Sequence, residues 1–199
     1  MTEDRLKLIQ AVTDLSQPEL RRDKNIDMIV LFKQLVLKDL YVDRDIIEML
    51  HNPTLEAQGA TPEDYRGVNI FSFLKIPDTQ STVKNFICFD VNFNGDYYRD
   101  NPAFLQGYII FRTVAHEDDV NTEYGIDRQD LLGMLIKDRY TWSNYMGMTL
   151  QLEYDLPKIA ENGYYYREIR FKLSSPNSVV QRGTYINNMD RDRQRYGYQ

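Results

Sequence analysis

The chain has 199 residues, of which 42% are apolar and 13% aromatic, enough for one sizeable core with or without a helical appendage. Its net charge of −6 argues against nonspecific nucleic-acid binding by the body, and its single cysteine, Cys88, excludes an internal disulfide. No apolar stretch is long enough to cross a membrane, and MTEDRLKLIQ at the N-terminus lacks a signal-peptide pattern, so we expect cytosolic synthesis.

Apolar residues at helical spacing predict a helical N-terminal region over residues 1–52. Within it, IDMIVLFKQLVLKDLYV is apolar on nearly every side, which predicts a helix covered by several neighbours, and other subunits are one hypothesis for these. Asp43 is a candidate N-cap for a further short helix that ends at His51-Asn52-Pro53. Residues 53–66 are rich in Pro, Gly, Thr, Glu and Gln, a composition typical of a linker.

Three strand candidates begin a core domain that we place over residues 67–174. Their sequences are VNIFSFLKI, VKNFICFDVNF and GYIIFRTVAH. The first two are predicted to form a hairpin through PDTQS, and a loop containing Asn94-Gly95 follows the second. The third is apolar on both faces, which favours a central position in the sheet.

One amphipathic helix and two further strands complete the predicted domain. GIDRQDLLGMLIKDRY, with Asp127 as a candidate N-cap, places five apolar residues on one helix face: Leu131, Leu132, Leu135, Ile136 and Tyr140. Glycine in mid-helix costs about 1 kcal/mol relative to alanine, so we interpret Gly133 as a point of close packing against another backbone. In the strand MTLQLEY, alternation places four side chains on one face: Met148, Leu150, Leu152 and Tyr154. The last strand is YYYREIRFKL.

These elements predict an α+β fold. A helical N-terminal region is followed by a mainly antiparallel sheet of about five strands with one helix packed across it. Residues 175–199 have little apolar content and no period, so we expect an extended tail that needs a partner to become ordered. Residues 181–199 contain four arginines and two aspartates, which gives this tail a charge of +2 and leaves −8 on the remainder.

Several patterns have a catalytic or metal-binding interpretation, and each has a simpler one. DVNFNGDYYRDN matches the first half of a calcium loop, but Asn101 stands where a bidentate glutamate is required, and a turn around Asn-Gly explains the same letters. Pro77-Asp78 with Glu168-Ile169-Arg170 partly matches a nuclease pattern without its lysine. The run from His116 to Asp119 is more typical of a solvated acidic loop than of a metal site.

No nucleophile motif and no glycine-rich phosphate loop is present. We therefore predict no catalytic, cofactor-binding or metal-binding residues and no cofactor. The competing class is a metal-dependent nuclease or phosphodiesterase that uses Asp90, Asp96 and Glu117. A third possibility is a monomeric adaptor that binds one partner through its helical N-terminus.

The N-terminal helices, the VNIFSFLKIPDTQSTVKNFICFDV hairpin, the helix GIDRQDLLGMLIKD and the two closing strands together resemble the neck (head–tail connector) proteins of tailed bacteriophages. Tail terminators, also called tail-completion proteins, are the nearest group, and the resemblance covers roughly residues 65–174. It implies a non-enzymatic virion protein, made in the host cytoplasm, that forms a homo-oligomeric ring of six or twelve copies. Such a ring caps the tail tube and joins it to the head. A head-closure or connector ring is the alternative within the same class.

The resemblance also implies partners and interface residues. The expected partners are copies of the chain itself, head-completion or portal-side proteins, tail-tube proteins, and DNA that passes through the lumen without sequence-specific binding; no membrane is involved. An acidic body would let DNA slide, because like charges repel. Asp118, Asp119 and Glu123 are candidates to line the lumen or meet a neighbour. The tail candidates for anchoring to a partner are Tyr185, Arg191, Arg193, Arg195 and Tyr196.

Overall fold

The computed structural model describes residues 27–75, 84–98, 101–143, 150–160 and 162–176, together with the helical positions 3, 6, 9, 10 and 13. From residue 27 onward its α-helices are α1 (Met28–Val42), α2 (Arg44–Met49), α3 (Pro53–Ala57) and α4 (Arg128–Tyr140). Its strands are β1 (Ile70–Phe71), β2 (Asn85–Tyr98), β3 (Asn101–His116), β4 (Gln151–Ile159) and β5 (Tyr164–Pro176). Short 3-10 turns cover Pro62–Tyr65 and Glu117–Asp119.

Side-chain caps define the starts of the first three helices. The carboxylates of Asp27 and Asp43 accept hydrogen bonds from backbone amides three residues later, at 3.1 and 3.2 Å, and Asn52 caps α3 in the same way. The predicted helix after Asp43 is therefore confirmed. Residues 53–66, expected to be a linker, contain α3 and a 3-10 turn whose Tyr65 is buried in the core.

The five strands form one sheet in the order β1-β2-β3-β5-β4. All neighbouring pairs are antiparallel except β1 with β2, so the predicted α+β fold with a mainly antiparallel sheet is confirmed. β3 lies at the centre of the sheet, as its two apolar faces indicated. β2 and β3 are longer than predicted, because Asn94-Gly95 lies within β2 next to a register shift instead of forming the connecting loop.

The predicted hairpin between the first two strands is wrong. β1 has only two residues, and Ile70 and Phe71 pair in parallel with Ile87 and Cys88. A parallel neighbour requires the chain to cross a face of the sheet between the strands. The crossing is visible at Lys75, whose carbonyl oxygen lies 3.8 Å from the Cys88 sulfur and whose ammonium lies 4.2 Å from the centre of the Phe71 ring.

The helices cover one face of the sheet and share a single core with it. Helix α4 buries Leu132, Ile136 and Tyr140 against this face, and the Tyr140 ring lies 4.9 Å from Phe111 and 6.1 Å from Phe171. Helix α1 adds four buried side chains to the same core: Phe32, Val36, Leu37 and Leu40. Opposite charges join the helices, because Arg139 of α4 contacts Asp39 at 2.6 Å and Asp43 at 2.8 Å. The helix predicted to pack across the sheet is confirmed.

Strand β4 departs from the alternation that its sequence predicts. Leu152 lies opposite Phe171, on the helix-covered face, but Tyr154 lies opposite Arg170 and therefore on the other face. The extra residue is Glu153, a β-bulge that shifts all later side chains by one position. The prediction that Tyr154 shares a face with Leu150 and Leu152 is wrong for this reason, and Asp155 instead faces α4.

Gly133 packs against a side chain and not, as expected, against another backbone. A Cβ atom at this position would lie 2.6 Å from Cδ of Arg167. The guanidinium of Arg167 is held in place by both carboxylate oxygens of Asp155, each at 2.6 Å, and by the Asp130 carbonyl at 3.0 Å. Glycine in α4 therefore makes room for the half-buried ion pair of Arg167 with Asp155, which joins β5 to β4 beneath the helix.

We expect Gly133→Ala to destabilise the protein by about 1 kcal/mol, because the overpacking cost outweighs the gain in helix propensity. In an Arg167→Ala background the same change should stabilise by up to about 1 kcal/mol, since only the propensity gain remains. Urea unfolding of the four proteins in this double-mutant cycle measures both values. Equal effects in the two backgrounds would contradict the assigned contact.

Candidate interaction surface

The acidic loop, residues 117–127, connects β3 to α4 and is fixed at its base by Asp119. This carboxylate accepts hydrogen bonds from Asn85 at 2.5 Å and from Arg128 at 3.1 Å, and it lies 2.8 Å from Nδ1 of His51. Arg128 also donates to the carbonyls of Asp119 at 2.7 Å and Met49 at 3.2 Å. The loop is thus tied to both the sheet and α2.

Burial alone would raise the pKa of the Asp119 carboxyl. The hydrogen bonds from His51 and Asn85 and the charge of Arg128 outweigh this effect and lower the pKa below its ordinary value. Asp119 is therefore ionised at neutral pH and serves as an internal anchor.

A cavity of about 470 Å³ lies beside this anchor. Its wall includes the Asn52 amide, which donates to Asn69 at 2.7 Å, and Asn69 in turn donates to the Asn85 carbonyl at 2.8 Å. His51, at its rim, has a φ of 45°, a left-handed conformation that a non-glycine residue adopts at an energetic cost. Because these polar groups bond to one another, they form a network that holds the loop against α2 and α3, in which only the buried Oδ1 of Asn85 is left without a partner among the described residues.

The structure separates the three loop residues that the sequence grouped together. Asp119 is internal, with 17% of its side chain exposed, whereas the Asp118 side chain is 58% exposed and contacts Lys84 at 3.2 Å. Glu123 is also exposed and lies next to Tyr124, away from that cavity. Asp118 and Glu123 can meet a neighbour directly. The tail candidates Tyr185, Arg191, Arg193, Arg195 and Tyr196 lie outside the described residues.

A second depression, which we call the α2–α4 groove, lies on the other side of the acidic loop. It has a volume of about 310 Å³ and is lined by Asp45, Glu48, Met49, Tyr124, Leu131 and Leu135. Three of these side chains are apolar and two are acidic, and both acids are exposed. Asp45 and Glu48 were not predicted from the sequence as interaction residues, although their spacing of three residues places them on one side of a helix.

The sheet face opposite the helices carries a charged cluster that the sequence did not reveal. Glu168, only 5% exposed, lies 2.6 Å from Arg112, 2.7 Å from Lys158 and 3.0 Å from the Tyr154 hydroxyl. Burial alone would raise the pKa of Glu168, but its hydrogen bonds to Lys158, Arg112 and Tyr154 lower it. Tyr154 joins this cluster only because the bulge at Glu153 turns it to this face.

Two of the three carboxylates proposed for a nuclease, Asp90 and Glu117, do not come together, and the side chain of Asp96 lies outside the described residues. Asp90 lies opposite Ile110 and contacts Lys33 at 2.6 Å, whereas Glu117 follows the end of β3 at His116. The strand register places the two acids about 20 Å apart. Among the residues that the structure describes, no group of three or more metal-ligating side chains is present.

The outer edge of the sheet is formed by β4 and carries exposed apolar side chains. Leu152, Leu156 and Ile159 are 40%, 48% and 80% exposed. Trp142, 67% exposed, lies near the start of this strand, since its amide donates to the Leu150 carbonyl at 2.9 Å. We call these four residues the β4 edge surface.

Comparison with protein families gives a match over residues 43–173, from the N-cap of α2 almost to the end of β5. The chain belongs to the YomW family. This family is associated with phages. Among solved structures, this YomW chain is similar to a chain of the "Virion of native gene transfer agent (GTA) particle", with 8% identity and a TM-score of 0.38, over 66% of this chain and 92% of that one. No curated protein matches the sequence.

Family membership confirms the predicted association with phages. Helix α1 lies outside the matched region, yet it belongs to the same core as the sheet. In the described part of the chain, no helix combines the length and the apolar character that a membrane span needs.

We expect Asp119→Ala to lower the free energy of unfolding by about 3 kcal/mol, because it leaves the buried side chains of Arg128 and Asn85 without their shared acceptor. The matched control is its sequence neighbour, Asp118→Ala, which removes one exposed ion pair and should cost less than about 1 kcal/mol. Urea unfolding at neutral pH measures both. Similar values for the two variants would show that Asp119 is not an anchor.

Glu168 should make stability depend on pH in the acid range. Because its pKa is lower in the folded protein than in the unfolded chain, the stabilisation is present above about pH 4.3 and is lost as the pH falls through the folded-state pKa. Glu168→Gln should therefore cost about 2 kcal/mol at pH 7 and progressively less towards pH 3. Urea unfolding across this range tests the expectation. A difference between variant and parent that does not change with pH would contradict it.

Proposed function

We propose that this YomW protein is a non-enzymatic structural component of the virion that forms a homo-oligomeric ring at the head–tail junction. There it caps the tail tube and joins it to the head, as tail terminators do. The family supports the phage association. The observation that carries the rest of the proposal is the β4 edge surface, because it is suited to contact another polypeptide.

An edge strand presents unpaired backbone N–H and C=O groups, and natural proteins usually protect such edges with charges, bulges or covering segments. Strand β4 has a bulge at Glu153 and a proline at Pro157, but it continues to Ile159, which is 80% exposed. Leu152 and Leu156 lie on opposite faces of the sheet, so a partner can contact both sides of the edge. Among the described residues, no strand pairs with β4 on its outer side.

A ring requires this edge to contact a different surface on the next copy, because two different surfaces can continue from copy to copy until the ring closes. A contact between two β4 edges would give a dimer only. The formal charge of −6 suits a ring through which DNA passes, since an acidic lining does not retain phosphates. A head-closure or connector ring would use the same surface and differ in its position along the neck.

The nuclease alternative receives no support from the positions of Asp90 and Glu117, which lie far apart on the sheet. A monomeric adaptor would leave the β4 edge surface without a self-contact. The mass of the protein in the assembled particle separates this alternative from the ring.

We expect the double substitution Leu156→Lys with Ile159→Lys to weaken self-association by about 100-fold, since two apolar contacts of about 1.5 kcal/mol each are lost. Phages supplied only with this variant should yield heads and tails that remain separate. Light scattering of the full-length protein and electron microscopy of the particles give the two measurements.

The matched control is Val42→Lys with Phe73→Lys, which introduces the same charge at exposed apolar positions away from β4. This control should assemble like the parent protein. The proposal fails if the β4 variant joins heads to tails normally, or if microscopy of virions places the chain outside the neck.

A further inference from the structure

The α2–α4 groove combines an apolar floor with an acidic rim. Met49, Leu131 and Leu135 supply the floor, and Asp45 and Glu48 stand on the α2 side. Among the described residues, no lysine, arginine or histidine forms an ion pair with these two acids or with Glu123. The groove therefore offers negative charge that the described body leaves uncompensated.

Tyr124 stands among the same acids and is 63% exposed. A hydrogen bond to Glu123 raises its pKa, and the charges of Glu123, Glu48 and Asp45 raise it further, so all three carboxylates lie close enough to act on one hydroxyl. The rim thus extends from α2 to the acidic loop. A cation placed at Tyr124 would be attracted by all three carboxylates at once.

The C-terminal segment has the complementary composition. Arg191, Arg193 and Arg195 alternate with Asp192 and Gln194. In an extended chain, alternate residues project to the same side about 7 Å apart, so three guanidinium groups would form one positive row. Acids three residues apart on a helix, such as Asp45 and Glu48, lie about 5–6 Å apart, a comparable spacing.

The positions of groove and tail favour a contact between copies. Gly133 lies in α4 between the groove residues Leu131 and Leu135 and packs on Arg167 of β5. The groove therefore lies near Arg167, whereas the described chain ends at Pro176. The strand between them spans about 30 Å. Arg191 can lie at most about 50 Å from Pro176, so docking within one copy would use much of this length on the return and on the path around the helical layer, whereas a neighbouring copy can present its groove nearer to Pro176.

We propose that the α2–α4 groove binds the Arg191–Arg195 segment of a neighbouring copy of this chain. This inference rests on the proposed ring and identifies one of its contacts. The arginine guanidinium groups form ion pairs with the carboxylates at the rim of the groove. Tyr196 covers the apolar floor formed by Met49, Leu131 and Leu135. Because the groove and Pro176, the last described residue, lie about 30 Å apart along β5, the contact can repeat from copy to copy around a ring.

Thiol cross-linking of the full-length protein tests the contact. The chain has a single cysteine, Cys88, which is buried, and burial raises the pKa of its thiol to about 11, so it does not compete at neutral pH. Glu48→Cys combined with Arg193→Cys is treated with a short bis-maleimide. Docking raises the local thiol concentration towards the millimolar range, so this pair should cross-link at least about tenfold faster than an undocked pair.

The undocked pair is Glu63→Cys with Arg193→Cys, which places the first thiol at an exposed acid outside both the groove and the β4 edge surface. Adding Arg191→Glu and Arg195→Glu to the groove pair should abolish its advantage, whereas adding Asp190→Asn and Asp192→Asn should preserve it. High salt should slow the groove pair towards the control rate, because exposed charges are screened.

The covalent products distinguish the outcomes. A ladder of species larger than a dimer is the expected result. Cross-links confined to single protomers, or equal rates for the two cysteine pairs, overturn the inference. If rings still form in those cases, the proposed ring stands and only this contact is wrong. If neither the parent protein nor any variant assembles, the proposed ring is wrong and the inferred contact is wrong with it.

Discussion

The packing of Tyr140 between Phe111 and Phe171 is the interaction on which the rest of the structure depends. It fixes α4 on the central strands, and every surface with an assigned role is positioned relative to that helix. The acidic loop enters α4 at Arg128, and the α2–α4 groove uses its outer side. Arg139, one residue before Tyr140, connects the same helix to Asp39 of α1. Loss of this aromatic contact would displace all of these features together.

The two faces of the sheet are stabilised by different physical means. Apolar burial dominates under the helices, where Phe89, Phe111 and Phe171 are fully enclosed. On the opposite face, a second small apolar cluster around Phe86 lies at one end, and ion pairs around Glu168 cover the rest. A charged face of this kind resists nonspecific association, whereas the edge of the sheet and the groove both present apolar area to solvent.

The sequence predicted the positions of the helices and strands more accurately than the pairing of the strands. Periodicity located α4 and the strands, because one apolar stripe must face a core. It could not predict the parallel pairing of β1, since the apolar run around Ile70 is compatible with either direction. The bulge at Glu153 was also hidden, because the alternation of letters continues through it. The same limit applies to Asp118 and Asp119. Asp118 is exposed and Asp119 is internal because only Asp119 meets Asn85 and Arg128, which are distant in the sequence and come together in the folded chain.

The burial of Cys88 has a consequence for the life of a phage particle. A virion component is synthesised in a reducing compartment and then persists in an oxidising one. With its only sulfhydryl buried in a cluster with Phe86 and Phe71 and held protonated, the protein presents no reactive thiol to oxidants or to other chains. Contacts of this protein with other chains therefore do not depend on a disulfide through Cys88.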